Sequence, residues 1–473
     1  MENGELTMQP HTRTVLSTLV REFLPAPTTA GILSREFALS ALLCIFTASS
    51  MANAQTASAP VGARPTPQQA AWQDFEIGMF IHFAPNTWQD LEYDNLSTPL
   101  DKINPDKLDT DQWVQVAEDM GAKYIVFVAK HAGGFCMWQT ETTDYSIGRT
   151  AWRGGKGDVL NDLIASCKKH NMPLGVYVSP ADSKHGVESG GKCKTTEAQA
   201  AYNELYRKQL TEVLSRHPMV EVWFDGSILA PVGDILEKYA PKAMVFQGPQ
   251  ATIRWVGNEE GETPYPGWNS VSEKAARSGV ATAKEGDPDG TAWLPNECDA
   301  RIRRDWFYSS KNGSTLKSVD QLMDMYYKSV GRGSVLLLNN TPDPTGRIPE
   351  ADAKRSAEFG AEIKRRFGKS IAETSGQGRE VVLSLDRPTI IDHVLSMEDI
   401  HQGERVRDYV IEGRVGARWF KLCEGTAIGH KKIDRIKPVT VAAVRLQCRK
   451  SAGEPIIRKL AVYNTLRAAV AGQ

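Results

Sequence analysis

The sequence predicts an α/β protein, a (β/α)8-like barrel followed by a C-terminal all-β sandwich. Three observations carry that expectation. Short and nearly unbroken apolar runs alternate with longer stretches of helical period over about 300 residues. No glycine-rich phosphate loop follows the first run, which argues against an open nucleotide-binding sheet. After about residue 373 the helical stretches stop, and strand-like runs follow one another with turn residues between them.

Taken in order, residues 1–54 read as an export signal to be removed. An apolar run from Phe37 to Phe46 follows Arg35, and Ala52-Asn53-Ala54 forms a small-x-small cleavage pattern. The run is too short to span a bilayer, so the mature chain is expected to carry no membrane span and to be periplasmic or extracellular. The polar stretch 1–34 is long for a segment ahead of such a signal, as when translation starts further downstream. Residues 55–70, rich in Pro and Ala, are expected to be a disordered lead-in.

The barrel is expected over 71–372. Its strands are IGMFIHF (77–83), YIVFVA (124–129), PLGVYVS (173–179), VEVWFD (220–225), AMVFQ (243–247) and SVLLLN (334–339). Their continuous apolar character suits parallel strands buried on both faces. Helices are expected over 110–122, 158–171, 201–217 and 319–331. ETSGQGR (373–379) reads as a linker, and the region 373–473 as the sandwich. Such a module is either structural or carbohydrate-binding.

Composition narrows the function. Of 473 residues 41% are hydrophobic and 24% charged, which excludes collagen, coiled coil and wholesale disorder. The 56 basic and 57 acidic residues leave a net charge of −1, and removing 1–54 leaves none. No footprint for nucleic acid or an anionic membrane is present. The six cysteines beyond the signal (Cys136, Cys167, Cys193, Cys298, Cys423 and Cys448) contain no CxxC pair, so a zinc cage is not expected.

In a barrel the reacting groups stand where strands end. Here those ends carry His82, His131 and Asp225. An acid directly after the apolar residues Val222-Trp223-Phe224 and before a glycine is costly unless its charge is used, although Asp225 could also cap a turn or pair with an arginine. Trp138, Trp223, Trp255, Trp268, Trp293 and Trp306 lie near the expected loop ends, and sugar rings stack on such side chains. A neutral chain with an acid among Trp and His points to a sugar site. Retaining glycoside hydrolysis needs a second carboxyl, for which Glu259, Glu260, Glu262 and Glu297 are candidates.

Several segments stand in register with a known family: GMFIHFAPNTW (78–88), AKHAGGFCMW (129–138), PLGVYVSP (173–180), EVWFDG (221–226), RWVGNE (254–259), NECDARIRRDWFY (296–308) and GRGSVLLLNNTPDPTGRIP (331–349). Together they resemble glycoside hydrolase family 29, the retaining α-L-fucosidases, and within it the branch acting on α-1,3/1,4-linked fucose. The resemblance spans roughly residues 72 to 367 and extends to the C-terminal module. It implies Asp225 as nucleophile and Glu259 as acid/base, with Glu297 as the alternative acid/base. It also implies that His82, His131 and Trp306 bind fucose, that Glu92 binds sugar hydroxyls, and that the partner is a fucosylated glycan with no cofactor and no metal. Glu259 would then have to hold a proton at the working pH while Asp225 stays ionised.

One departure stands out. Where the family reads KHHDGF, this chain has Lys130-His131-Ala132-Gly133-Gly134-Phe135. Two rival readings follow from the same residues. A fucose-binding protein that has lost catalysis is suggested by Ala132. A metal-dependent barrel hydrolase would use His82, His131 and Asp225, against which the first strand has no HxH pair.

Overall fold

A computed structural model of the protein describes residues 62–466. The expected export signal and residues 55–61 lie outside the described residues. Eight parallel strands form the barrel: β1 (Ile77–Ile81), β2 (Ile125–Lys130), β3 (Leu174–Val178), β4 (Glu221–Trp223), β5 (Met244–Phe246), β6 (Arg254–Trp255), β7 (Asn296–Arg301) and β8 (Val335–Asn340). They pair in the order β5-β4-β3-β2-β1-β8-β7-β6, and a single parallel bridge from Phe246 to Ile253 links the two ends.

The apolar runs are unbroken because each strand feeds two cores. Phe80, Val126, Val128, Tyr177, Trp223 and Phe246 pack together as one cluster inside the barrel. Their neighbours Met79, Ile81, Ile125 and Phe127 belong to the cluster shared with the surrounding helices. Those helices start where capping side chains supply the missing acceptors. Asp109, Asp158 and Thr195 cap Thr110–Met120, Val159–His170 and Thr196–Leu214, and Ser318 forms a capping box with Gln321 at Val319–Lys328.

Three sequence expectations are corrected. The lead-in is not without structure up to residue 70: Thr66 caps a helix over Pro67–Gln73 in a capping box with Gln69. Its Trp72 packs into the interior cluster, where its indole N–H donates to Glu221 at 2.7 Å. The stretch 373–379 is not a linker, because Ala372–Gln377 is a strand, separated by only four residues from the end of the helix Glu350–Phe367. And β6 and β7, absent from the expected strand set, complete the barrel.

The C-terminal all-β module contains β9 (Ala372–Gln377), β10 (Glu380–Glu398), β11 (Val406–Val415), β12 (Arg418–Gly425), β13 (Lys432–Ser451) and β14 (Ile456–Tyr463). They form one antiparallel sheet in the order β9-β14-β10-β13-β11-β12. Register shifts between Ser384 and Thr389 and between Ile391 and His393 bend the long β10–β13 pair. Side chains from β10, β11, β13 and β14 then share a core of their own. The six cysteines are free, and no helix among the described residues is long and apolar enough to cross a membrane.

Candidate active site

His82, Glu92, His131, Trp223, Asp225, Glu259 and Trp306 all line one cavity of about 510 Å³ at the carboxyl ends of the barrel strands. Asp225 stands two residues beyond β4, where the Phe224 N–H donates to Phe246 O at 3.0 Å and carries the strand one step further. The chain then turns sharply at Gly226, whose φ is +74°. The left-handed conformation favours glycine, and a Cβ there would also force Ser189 Oγ aside. The turn is tied down by Gln247, whose Oε1 accepts the N–H groups of Gly226 and Ser227 at 2.7 and 3.2 Å. Burial raises the pKa of Asp225, the Tyr177 hydroxyl, donating to Oδ2 at 3.1 Å, opposes the rise, and the charge of Glu259 adds to it.

The two histidines are neutral. Burial pushes His82 well below the usual imidazole range, with the neighbouring His131 adding to the effect. Its Nδ1 lies 2.8 Å from Asn339 Oδ1, an acceptor, which assigns the proton to Nδ1 and leaves Nε2 to accept. Burial likewise draws His131 down to about 4. Its ring stacks on Tyr177 at 5.8 Å between centroids, and its Nδ1 has no hydrogen-bond partner in the protein. Neutral imidazoles and aromatic walls suit an uncharged, hydroxyl-rich ligand.

Trp306 is fixed from three sides. Its backbone N–H donates to both oxygens of Glu92 at 3.1 and 3.4 Å, its indole N–H to Glu259 Oε2 at 3.1 Å, and its carbonyl accepts from Asn339 Nδ2 at 2.8 Å. Burial raises the pKa of Glu92. Glu259 also meets the Arg301 guanidinium at 3.4 Å, and Arg301 in turn lies 5.3 Å from the centre of the Trp306 ring.

Other candidates fall elsewhere. Glu297, the alternative acid/base, does not reach the cavity. It is wholly buried inside the barrel, where it accepts from the Tyr124 hydroxyl at 2.8 Å and the Trp223 indole at 2.9 Å and is hydrogen-bonded to Glu221. The reason is strand period: Glu297 points to the barrel floor one layer below Asp299, which lines the cavity. Glu262 pairs with Lys328 and Arg332, and Glu260 is exposed outside the cavity lining. Of the six tryptophans, Trp223, Trp255 and Trp306 line the cavity. Trp138 is buried with its indole on Glu212, Trp293 packs against Gln73, and Trp268 lies under Arg407.

The departure at 132–133 has a local explanation. Ala132 is not part of the cavity lining. Gly133 has no room for a side chain, because the Asp94 carboxylate, accepting from the Tyr145 hydroxyl at 2.7 Å, lies where its Cβ would stand. A carboxyl from a different loop therefore occupies that space.

Tyr177, Asn339, Asp299, Arg301 and Gln247 were not expected at the site. For Asp299 and Arg301 a signal existed: with Glu297 they alternate at the period of a strand, but a strand so polar does not advertise itself. Among the described residues no group of three or more His, Cys, Asp or Glu side chains is placed to hold a metal ion.

The family described as Alpha-L-fucosidase matches residues 84–366, well over half of the chain. The chain belongs to the alpha-L-fucosidase family. Alpha-L-fucosidase 1 of Arabidopsis thaliana is 32% identical over 455 residues, covering 85% of this chain and 88% of that one. A glycoside hydrolase 29 family member from a rumen bacterium superposes with a TM-score of 0.78 at 31% identity, covering 87% of this chain and 79% of that chain. A Ruminococcus gnavus fucosidase of the same family, solved in complex with fucose, gives a TM-score of 0.76 at 27% identity over 86% of this chain and 96% of its own. As an alpha-L-fucosidase family member the protein is a glycoside hydrolase, and its cavity stands at the end of the barrel where such chemistry is carried.

Proposed function

We propose that the protein is a retaining exo-α-L-fucosidase that releases terminal α-1,3/1,4-linked L-fucose from oligosaccharides or glycoconjugates. The observation that carries the reading is the convergence of Asp225 and Glu259 on one cavity, close enough that the charge of one is felt by the other. Asp225 attacks the anomeric carbon while Glu259 protonates the departing oxygen, giving a covalent fucosyl-enzyme. Glu259 then takes a proton from water, which opens the intermediate with net retention.

The remaining groups bind and orient. His82 and His131, both neutral, exchange hydrogen bonds with ring hydroxyls, Glu92 accepts from another, and Trp223 and Trp306 offer apolar faces to the deoxysugar. In support, the neighbouring Ruminococcus gnavus structure is described as a complex with fucose.

Incubation with Lewis-type trisaccharides, 2'-fucosyllactose and an aryl fucoside, followed by NMR of the anomer first released, tests both parts. Cleavage of the branched trisaccharides with initial release of α-fucose is expected. Initial release of β-fucose would sink the retaining mechanism, preference for 2'-fucosyllactose would sink the linkage, and saturable binding without hydrolysis would leave a fucose-binding protein. The signal-like segment 1–54 further supports export, which cell fractionation checks.

A further inference from the structure

Strand β7 lays three consecutive residues against the segment that carries Glu259. Asp299 accepts the Trp255 indole N–H at 2.7 Å, Ala300 forms a lone antiparallel bridge with Glu260, and Arg301 reaches Glu259 at 3.4 Å. The segment needs such a template. Its own strand, β6, is two residues long, and the loop beyond it turns on Gly257 and Gly261, both at positive φ. Glu259 itself is 42% exposed at the side chain, so its aim depends on what holds the chain behind it.

Asp299 is buried in the cavity wall, at 5% exposure, and it shares that cavity with the carboxyls of Glu92, Asp225, Glu259 and Asp305. A further negative charge there would oppose the ionised nucleophile. Burial raises Asp299 to about 8 against the pull of the Trp255 N–H, with the charges of Glu259 and Asp225 adding to the rise. At neutral pH the group is therefore the neutral acid, able to hold the indole without adding charge.

We propose that Asp299 is a positioning residue for the hydrolysis: its carboxyl fixes the Trp255 wall of the cavity and, through it, the aim of Glu259 at the leaving-group oxygen. The inference rests on Glu259 being the proton donor. It separates from a merely structural role by leaving group, because a nitrophenolate departs without protonation and a sugar alkoxide does not.

The test compares Asp299→Ala, Asp299→Asn and Trp255→Phe on an aryl fucoside and on a fucosylated oligosaccharide that the wild type cleaves. Asp299→Ala should lower kcat/KM roughly 10- to 100-fold on the oligosaccharide, as expected for a misplaced catalytic group, and less than about threefold on the aryl fucoside. Asp299→Asn, which keeps an acceptor oxygen and is always neutral, should recover most of the loss. Trp255→Phe, which keeps a ring but removes the N–H, should reproduce the Asp299→Ala pattern, and the double variant Trp255→Phe/Asp299→Ala should be no worse than either single one.

Equal losses on both substrates, additive losses in the double variant, or unaltered kinetics in Asp299→Ala would each overturn the proposal while leaving the fucosidase reading intact. A wild type that cleaves no fucoside would sink that reading and this inference together.

Discussion

As the proposed nucleophile, Asp225 has to satisfy two demands that pull in opposite directions. A nucleophile must be ionised, yet burial raises its pKa, and the Tyr177 hydroxyl is the side chain that most favours the carboxylate, with the Gly226 N–H adding to it. Removing that donor in Tyr177→Phe leaves only the weaker Gly226 N–H against burial, so the Asp225 pKa rises further and the acid limb of the kcat/KM profile should move to higher pH, with a smaller loss on the plateau. A pH–rate profile of the two proteins decides it; an unmoved acid limb would mean that another group controls the limb. Asp225→Ala should cut turnover roughly 10³-fold or more with folding retained, and azide should restore part of it, read by initial rates and circular dichroism. Asp225 was legible in the sequence because an acid between an apolar strand and a glycine has few structural uses. Tyr177 was not, because a tyrosine inside an apolar strand reads as core.

Among the elements, legibility followed polarity. Strands β1 to β5 and β8 announce themselves as apolar runs because both of their faces meet hydrocarbon. Strand β7, with Asn296, Glu297, Asp299 and Arg301 among its six residues, is instead buried against aromatic donors: the Tyr124 hydroxyl and the indoles of Trp223 and Trp255. Such a strand can be seen only once its partners are known. Beneath the cavity, Glu297 and Glu221 form a hydrogen-bonded carboxyl pair in which burial raises both pKa values. The folded state thus keeps a proton that the unfolded chain gives up above its ordinary glutamate pKa of about 4.3. Folded-state pKa values raised in this way mean stability that is present at low pH and lost as pH rises through the folded value. Glu297→Gln, which keeps the shape and donates to Glu221 without titrating, should flatten that loss. The variant should melt above the wild type at pH 8 and draw level near pH 5 in thermal scans; parallel curves would show that the pair is not the titrating element.

For the whole molecule, the question open from sequence was whether the C-terminal module is structural. Polar links join it to the barrel: the buried pairs of His393 with the Tyr327 hydroxyl at 2.9 Å and of Glu404 with Asn269, and the part-buried pair of His430 with Asp74 at 2.8 Å. The Glu404 link leads toward the site. Glu404 accepts the backbone N–H of Asn269 at 3.0 Å and its side-chain Nδ2 at 2.8 Å, while Asn269 Oδ1 accepts from the N–H of Asn296, the first residue of β7. A turn of the sheet domain is thus two hydrogen-bond steps from the strand that carries Asp299 and Arg301. Glu404→Ala would leave two buried donors of Asn269 unpaired, a cost of about 2–4 kcal/mol. The expected result is a clearly lower melting temperature together with a lower kcat/KM at temperatures where the variant is still folded, because the foundation of β7 is loosened. Unchanged melting and kinetics, with altered retention on an immobilised glycan, would instead mark the module as carbohydrate-binding and only tethered to the barrel.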